Sequence, residues 1–400
     1  MSNLPKGWKL VQLNDIVKFN NGKGHEQYID DNGEYIVVNS KFISTNGEIR
    51  KYSNENLSPL KKGDITLVMS DIPNGRALAK CYLIEEDNKY TLNQRICSLE
   101  VKNENNEFLF YKLNRNQYFL KFNDGVNQTN LRKNEVLDCP VELPPLEEQK
   151  KIADILSTVD EKIAFVQDSI NQTEELKKAL MQKLLTEGIG HTEFKDSELG
   201  KIPKSWRIVK LEEVCSKIVG GGTPSKNEST YWENGTIDWF SSGELNQLYT
   251  LPSKEKITQL GLEKTSTKLF SKGTLLIGMY DTAAMKMSIL FNDGSCNQAI
   301  VGFKSNENEL NILFLKYQLE YLKKDILEQR QGVRQQNLNL SKIKNIEIEY
   351  PPLKTQQKVV SYLDEISNKM EKIKQIQKEK MQSLKALKAS ILDQAFKGEL

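Results

Sequence analysis

The sequence predicts a mixed α/β (α+β) chain. Two similar globular domains are each followed by one long helix, and the two helices pair as an intramolecular antiparallel coiled coil. Three observations predict it: the chain repeats itself, a proline pair opens a helical stretch in each half, and both stretches carry the same heptad seam. Residues 4–24, LPKGWKLVQLNDIVKFNNGKG, align without a gap on 202–222, IPKSWRIVKLEEVCSKIVGGG, pairing Pro5 with Pro203, Trp8 with Trp206 and Leu13 with Leu211. LKKGDITLVMS (60–70) then matches FSKGTLLIGMY (270–280), and Asn93-Gln94 matches Asn297-Gln298. Last, LPPLEEQKKIADIL (143–156) matches YPPLKTQQKVVSYL (350–363). A chain with two like units has pseudo-twofold symmetry, which suits a target split into two half-sites.

Residues 1–143 form the first domain. Its runs YIVVNSKFI (35–43), DITLVMS (64–70) and RICSLEVK (95–102) are rich in Val, Ile and Leu and are divided by turn residues, so they read as strands. FLFYKLNRNQYFLKF (108–122) has helical spacing through Phe108, Tyr111, Leu113, Phe119 and Leu120. Pro144 and Pro145 end the domain, because proline suits a helix start and not a helix interior. The helix they open, 144–187, places apolar residues at Ile152, Leu156, Val159, Ile163, Val166, Ile170, Leu180 and Leu184, with breaks at Thr173 and Lys177. A linker over 188–201 carries His191, expected to be solvated. The second domain, 202–350, repeats the pattern with TLLIGMY (274–280), AIVGFK (299–304) and a helix over NILFLKYQLEYLKKDIL (311–327). Pro351 and Pro352 open the last helix, 351–397. Its seam is Val359, Leu363, Ile366, Met370, Ile373, Leu384, Leu387 and Ile391, with Gln377 and Lys380 as breaks.

Both seams alternate steps of four and three, and neither helix buries such a stripe alone, so they predict a coiled coil. Residues 147–187 hold six lysines against nine acidic residues, a net −3, and 354–399 hold ten against six, a net +4. Opposite signs favour pairing with each other, although surface pairs contribute little individually. Forty helical residues span about 60 Å. In an antiparallel pair the first helix ends where the second domain begins. The short linker then suffices, and the pair acts as a ruler between domains.

Four hundred residues are too many for one ordinary domain, and a hydrophobic fraction of 38% supports real cores. No stretch approaches the ~20 apolar residues of a membrane span, and no secretory signal is expected from MSNLPKGWKL. Five scattered cysteines with no C-x-x-C argue against a disulfide frame or zinc site and for a reducing cytoplasm. Net charge is +2, from 56 basic and 54 acidic residues, so this is no generic nucleic-acid coater. Any grip on phosphate is local, with a partner supplying the rest.

The ordered set of motifs resembles the specificity subunit of type I restriction-modification enzymes, HsdS, over nearly the whole chain. It comprises the P-x-x-W opening, the strand after Lys-Gly, the Asn-Gln pair, the P-P-L-x-x-Q helix start and the linker LLTEGIGHTEF (184–194), with all but the linker occurring twice. The resemblance implies two target-recognition domains, each reading half of a bipartite site in double-stranded DNA. It implies two methyltransferase subunits docked on the helices, which bind S-adenosylmethionine and methylate adenine at N6. Restriction subunits using ATP and magnesium join them, no cofactor sits on this chain, and the chain itself is non-catalytic. The other readings are a recognition subunit of a related methylase-nuclease system and a coiled-coil scaffold with two protein-binding domains.

Catalytic motifs are missing. There is no G-x-x-x-x-G-K-[ST], and His25 and His191, the only histidines, lie in different segments. Gly220-Gly221-Gly222 leads into TPSK and reads as a flexible turn. What remains is polar and loop-borne: Lys23, His25, Asn74 and Arg76 in the first domain, and Lys226, Ser241, Thr282 and Lys286 in the second. Two polar segments before the helix starts add Gln128 and Asn130, and Arg334 and Gln335. Arg and Lys suit guanine edges, and Asn and Gln suit adenine. The same residues also serve as ordinary turn formers.

Overall fold

Each repeat opens with a strand, one helical turn and a second strand joined without a loop. The structure is a computed structural model describing residues 4–73, 75–328 and 338–400. It falls into two compact units, Met1–Ser169 with Gln377–Leu400, and Ile170–Ile376. In the first, β1 (Lys9–Gln12), α1 (Leu13–Ile16) and β2 (Val17–Asn21) are folded tightly by Asp15, whose carboxylate accepts the Gln12 N–H. Then come β3 (Tyr35–Val38), α2 (Ser40–Ser44), β4 (Tyr52–Ser53), β5 (Ile65–Val68), β6 (Ser70–Asp71), β7 (Cys81–Leu83), β8 (Tyr90–Leu92) and β9 (Ile96–Val101). They build an antiparallel sheet β2-β9-β5-β7 and a smaller sheet β4-β3-β8, in which β3 and β8 are parallel. All of β5 is buried, as a strand covered on both faces must be.

The segment 35–43 is strand only to Val38. Asn39 then accepts the Phe42 N–H and starts α2. The helix expected over 108–122 is two pieces, α3 (Asn106–Leu113) and α4 (Gln117–Leu120). The break is local: Arg115 has a positive φ of 57°, and Asn116 caps α4 by accepting the Tyr118 N–H. After β10 (Thr129–Asn130) and α5 (Lys133–Leu137), β11 (Pro140–Leu143) pairs antiparallel with β1. The domain's two ends are thus zipped together where α6 (Leu146–Thr186) begins.

The second unit starts differently. The linker folds into a hairpin, β12 (Phe194–Ser197) with β13 (Gly200–Pro203). His191 is not simply solvated; its ring meets Trp206 edge-on at 6.0 Å and its Nε2 is buried. Thereafter the strands recur in the first domain's order, without a match to β6 among the described residues, and the helix α8 follows β17 where α2 precedes β4: β14 (Arg207–Lys210), α7 (Leu211–Val214), β15 (Cys215–Gly220), β16 (Ile237–Phe240), β17 (Glu255–Ile257), α8 (Gln259–Lys264), β18 (Leu275–Gly278), β19 (Met287–Ile289), β20 (Gly294–Cys296) and β21 (Ile300–Ser305). The sheets are β15-β21-β18-β19 and β17-β16-β20, the first domain's arrangement strand for strand. A bulge between Cys215 and Lys217 adds one residue to β15. Beyond it the gapless alignment slips, so Gly221, not Gly220, matches Gly22. Their N–H groups bond to the carbonyls of Ile300 and Ile96. Nor is the glycine run a loose turn, since a Cβ on Gly221 would lie 2.3 Å from the Cys296 carbonyl oxygen. α9 (Ile312–Tyr321), α10 (Lys323–Glu328), α11 (Leu340–Lys344) and β22 (Glu347–Tyr350) lead to α12 (Leu353–Lys397), and β22 pairs with β14 as β11 does with β1.

The P-P-L-x-x-Q motif acquires a physical reason. Gln149 is buried, its Oε1 accepts the Asn105 N–H at 3.0 Å, and its Nε2 donates to the Pro144 carbonyl at 2.9 Å and to Glu104 at 2.7 Å. Gln356 does the same with the Asn311 N–H at 2.8 Å, the Pro351 carbonyl at 2.8 Å and the Glu309 carbonyl at 3.0 Å. One glutamine locks the long helix to its own domain and satisfies backbone groups left over at two helix starts.

The long helices pair within each unit. In the first, Ile152, Ala153 and Leu156 of α6 meet Ile391, Leu392, Ala395 and Phe396 of α12 in one core, and Lys388 holds Asp160 at 2.6 Å. In the second, Leu184 and Leu185 pack with Val359, Val360 and Leu363, and Lys374 meets Glu174 at 2.7 Å. In both units the α6 numbers rise as the α12 numbers fall, so the pairing is antiparallel. Val159 and Val166 are buried, and Ile163, Ile170, Ile366, Met370 and Leu384 are half-buried. Ile373 and Leu387 are the exceptions, being 43% and 49% exposed. From Gln377, whose amide donates to Ser169, the inward series runs Met381, Leu384, Lys388, Ala395. It comes one residue later than the heptad positions Lys380 and Leu387, because a straight helix drifts about 20° per heptad.

Candidate nucleic-acid interface

Three backbone connections gather separate loops of the first domain into one rim. Lys23 forms an isolated bridge with Asn93, beside the turn after β2. The Arg95 carbonyl accepts the Met69 N–H at 3.0 Å, and the Met69 carbonyl accepts the Leu131 N–H at 2.8 Å. β6 pairs with β10, setting Ser70 opposite Asn130 and Asp71 opposite Thr129. The tip 93–95, the loop after β5 and the segment before α5 therefore lie side by side.

On this rim Gln128 and Asn130 are exposed and tied to one hydroxyl. Gln128 Nε2 donates to Ser70 Oγ at 2.8 Å, and Ser70 Oγ donates to Asn130 Oδ1 at 2.6 Å. The neighbouring turn is set by Asp124, whose carboxylate accepts the N–H groups of Asn127 and Val126, holding its pKa below the usual range. Asp71 accepts from Ala77 at 2.7 Å and Leu78 at 3.0 Å, which curls the loop bearing exposed Arg76. Lys23 is exposed as well. Gln94 donates to Glu26 at 2.6 Å. Arg95, exposed at a positive φ of 69°, was not singled out from the sequence. Its signal was an arginine directly after the repeated Asn-Gln pair.

His25 does not belong to the rim. It is 1% exposed, with Nδ1 2.7 Å from the Lys23 carbonyl and Nε2 2.8 Å from Thr91 Oγ1. Both ring nitrogens are engaged inside the domain, so no edge is left to read a base. Asn74, Arg334 and Gln335 lie outside the described residues.

The second domain repeats one of these connections, the pair of backbone bonds made by Met69. The Ala299 carbonyl accepts the Met279 N–H, and the Met279 carbonyl accepts the Leu338 N–H. Ala299 thus stands where the first domain has Arg95. Thr223 donates to Gln298 beside this tip. Exposed Thr282 and half-buried Lys286 lie in the loop matching that of Arg76. Lys226 is half-exposed, with its ammonium 3.4 Å from the Trp232 ring centre and 2.5 Å from Glu255. Ser241 donates its hydroxyl to Glu244 at 2.7 Å and starts a short helical turn. Both residues help to shape their loops.

Among the described residues no group of three or more His, Cys, Asp or Glu is placed to hold a metal ion, and no helix is long and apolar enough to cross a membrane. The arrangement offers hydrogen-bonding and cationic side chains on rigid loops, the chemistry of groove reading.

Residues 5–175 and 203–380 match the family profile described as type I restriction modification DNA specificity domain. The type I restriction enzyme MjaVIII specificity subunit of Methanocaldococcus jannaschii is 29% identical over 96% of this chain and 91% of its own length. The EcoDI specificity subunit of Escherichia coli is 23% identical over 99% of this chain and 89% of its own. A solved structure described as showing complex assembly and conformational transition of a type I restriction-modification system superposes with a TM-score of 0.63. It is 21% identical and covers all of both chains. The HsdS subunit of Thermoanaerobacter tengcongensis superposes with a TM-score of 0.50 at 22% identity, over 99% of this chain and 98% of that one.

Proposed function

The chain belongs to the type I restriction-modification DNA specificity family, and from that premise we propose that each of its two domains reads one half of a bipartite site in double-stranded DNA. One observation carries the reading: the two domains share the strand order of both sheets and the backbone bonds at Met69 and Met279, while the side chains at the tip differ, Arg95 against Ala299. Equal frames with unequal loops suit a site whose halves are equal in kind and different in sequence. The chain supplies recognition and no chemistry. Two methyltransferase subunits with S-adenosylmethionine and restriction subunits with ATP and magnesium supply the reactions, in the cytoplasm. The paired α6 and α12 set the spacer and offer docking surface.

Gln128→Ala, in complex with the methyltransferase partner, tests the rim. If Gln128 meets a base edge, the variant loses about 1–3 kcal/mol on the preferred site and its discrimination at one position of one half-site. Binding to a panel of single-base variants at two salt concentrations measures both. An even loss across all sequences, with a smaller salt slope, would place Gln128 on phosphate. An unchanged affinity would remove it from the interface.

A further inference from the structure

An isoleucine stands on the polar rim of the first domain. Ile72 directly follows β6 and is 68% exposed, although burial of such a side chain is favourable. The chain is tied down where it leaves the strand. The Ile72 N–H donates to one oxygen of the Asp71 carboxylate at 2.9 Å, and the other oxygen accepts the Ala77 and Leu78 N–H groups.

The pairing of β6 with β10 makes a two-stranded ribbon. Ser70 lies opposite Asn130 and Asp71 opposite Thr129, so Ile72 comes beside Gln128 one step further on. Side chains alternate along a strand, and directly opposed residues share a face. Ser70, Ile72, Gln128 and Asn130 therefore share one face, and Asp71 and Thr129 share the other. Ser70 is buried at the foot of that face. Its hydroxyl accepts from Gln128 Nε2 and donates to Asn130 Oδ1. This leaves Gln128 Oε1 as an acceptor and Asn130 Nδ2 as a donor for an outside partner.

A two-stranded ribbon fits the major groove of B-DNA. There an A·T pair presents the adenine N6 donor, the adenine N7 acceptor and the thymine methyl group. The ribbon's face carries the complement of all three: an acceptor, a donor and an aliphatic group. Opposed side chains stand about 5 Å apart, against a rise of about 3.4 Å per base pair, so Ile72 and Gln128 reach the same pair or adjacent ones. A cytosine in the thymine's place would turn its amino group towards a side chain that accepts no hydrogen bond.

Given that the first domain reads DNA as proposed above, we propose that Ile72 determines specificity by packing on the methyl group of a thymine in that domain's half-site, beside an adenine edge met by Gln128 and Asn130. Counting on from the matched Met69 and Met279, the second domain has Thr282 in this place. A purely aliphatic side chain here belongs to the first domain.

The test uses the full-length chain in complex with its methyltransferase partner, and synthetic duplexes of the recognised site. The half-site that survives exchange of residues 202–350 is the first domain's. Each of its thymines is replaced in turn by deoxyuridine, which removes only the methyl group. At one position the replacement is expected to weaken binding about fourfold, the worth of one buried methyl group. Ile72→Ala, or Ile72→Ser should the alanine variant fail to fold, is expected to bring that ratio to about one. Leu10→Ala, at an exposed apolar residue of β1, is expected to leave the ratio unchanged. A surviving half-site without thymine, one whose every thymine is replaced without loss, or a ratio that both Ile72 variants leave unchanged would overturn this role for Ile72 while the reading by half-sites stands. If no half-site survives the domain exchange, that reading fails and the role of Ile72 with it.

Discussion

Gln356→Ala is expected to lower the unfolding free energy by about 3 kcal/mol, although the residue is not at the surface. The side chain is 0% exposed and makes three hydrogen bonds, to the Asn311 N–H and the carbonyls of Pro351 and Glu309. Alanine leaves all three backbone groups without that partner, and each orphan costs about 1–3 kcal/mol unless water reaches it. Denaturant unfolding of the full chain measures the loss, with exposed Gln357→Ala as a control expected within about 0.5 kcal/mol. A loss for Gln356→Ala no larger than the control's would mean that the motif does not lock helix to domain.

The second large effect concerns the helices. Seven residues added after Ser169 in α6 and seven after Ile376 in α12 lengthen the helical pair by about 10 Å. These points lie opposite each other, since Ser169 faces Gln377 and Glu174 faces Lys374. If the pair sets the spacer, the recognised site gains about three base pairs between its halves. Activity on the original site is then lost and both half-sites are unchanged. Selection of sites from a library with variable spacers reads this directly. Retention of the original spacer by a folded variant would show that the helices are not the ruler.

The architecture was legible because it depends on patterns that recur. The paired prolines, the heptad steps and the apolar runs are local, and each was repeated 207 residues later or nearly so. The role of Gln149 and Gln356 was not legible, because it depends on Asn105 and Asn311, more than forty positions away in the chain. His25 shows the same limit at the candidate site. It sits in a polar loop between lysine and glutamates, and only the fold brings Thr91 to its Nε2. Ile373 was apolar at a heptad position, but helix drift and the polar Ser169–Gln377 contact shift the seam past it. Arg95 is not marked by the repeat, because Ala299 follows the second Asn-Gln pair. The backbone bond from Met69 to the Arg95 carbonyl is what sets that tip on the rim.

On the proposed function, each domain reads its own half-site. This is tested most directly by exchanging residues 202–350 for the corresponding domain of another family member, expressing the chimera with the methyltransferase partner, and sequencing the methylated genome. The expected outcome is a bipartite methylation motif in which one half is replaced and the other half and the spacer are kept. A folded, active chimera whose two halves both change, or neither, would contradict it.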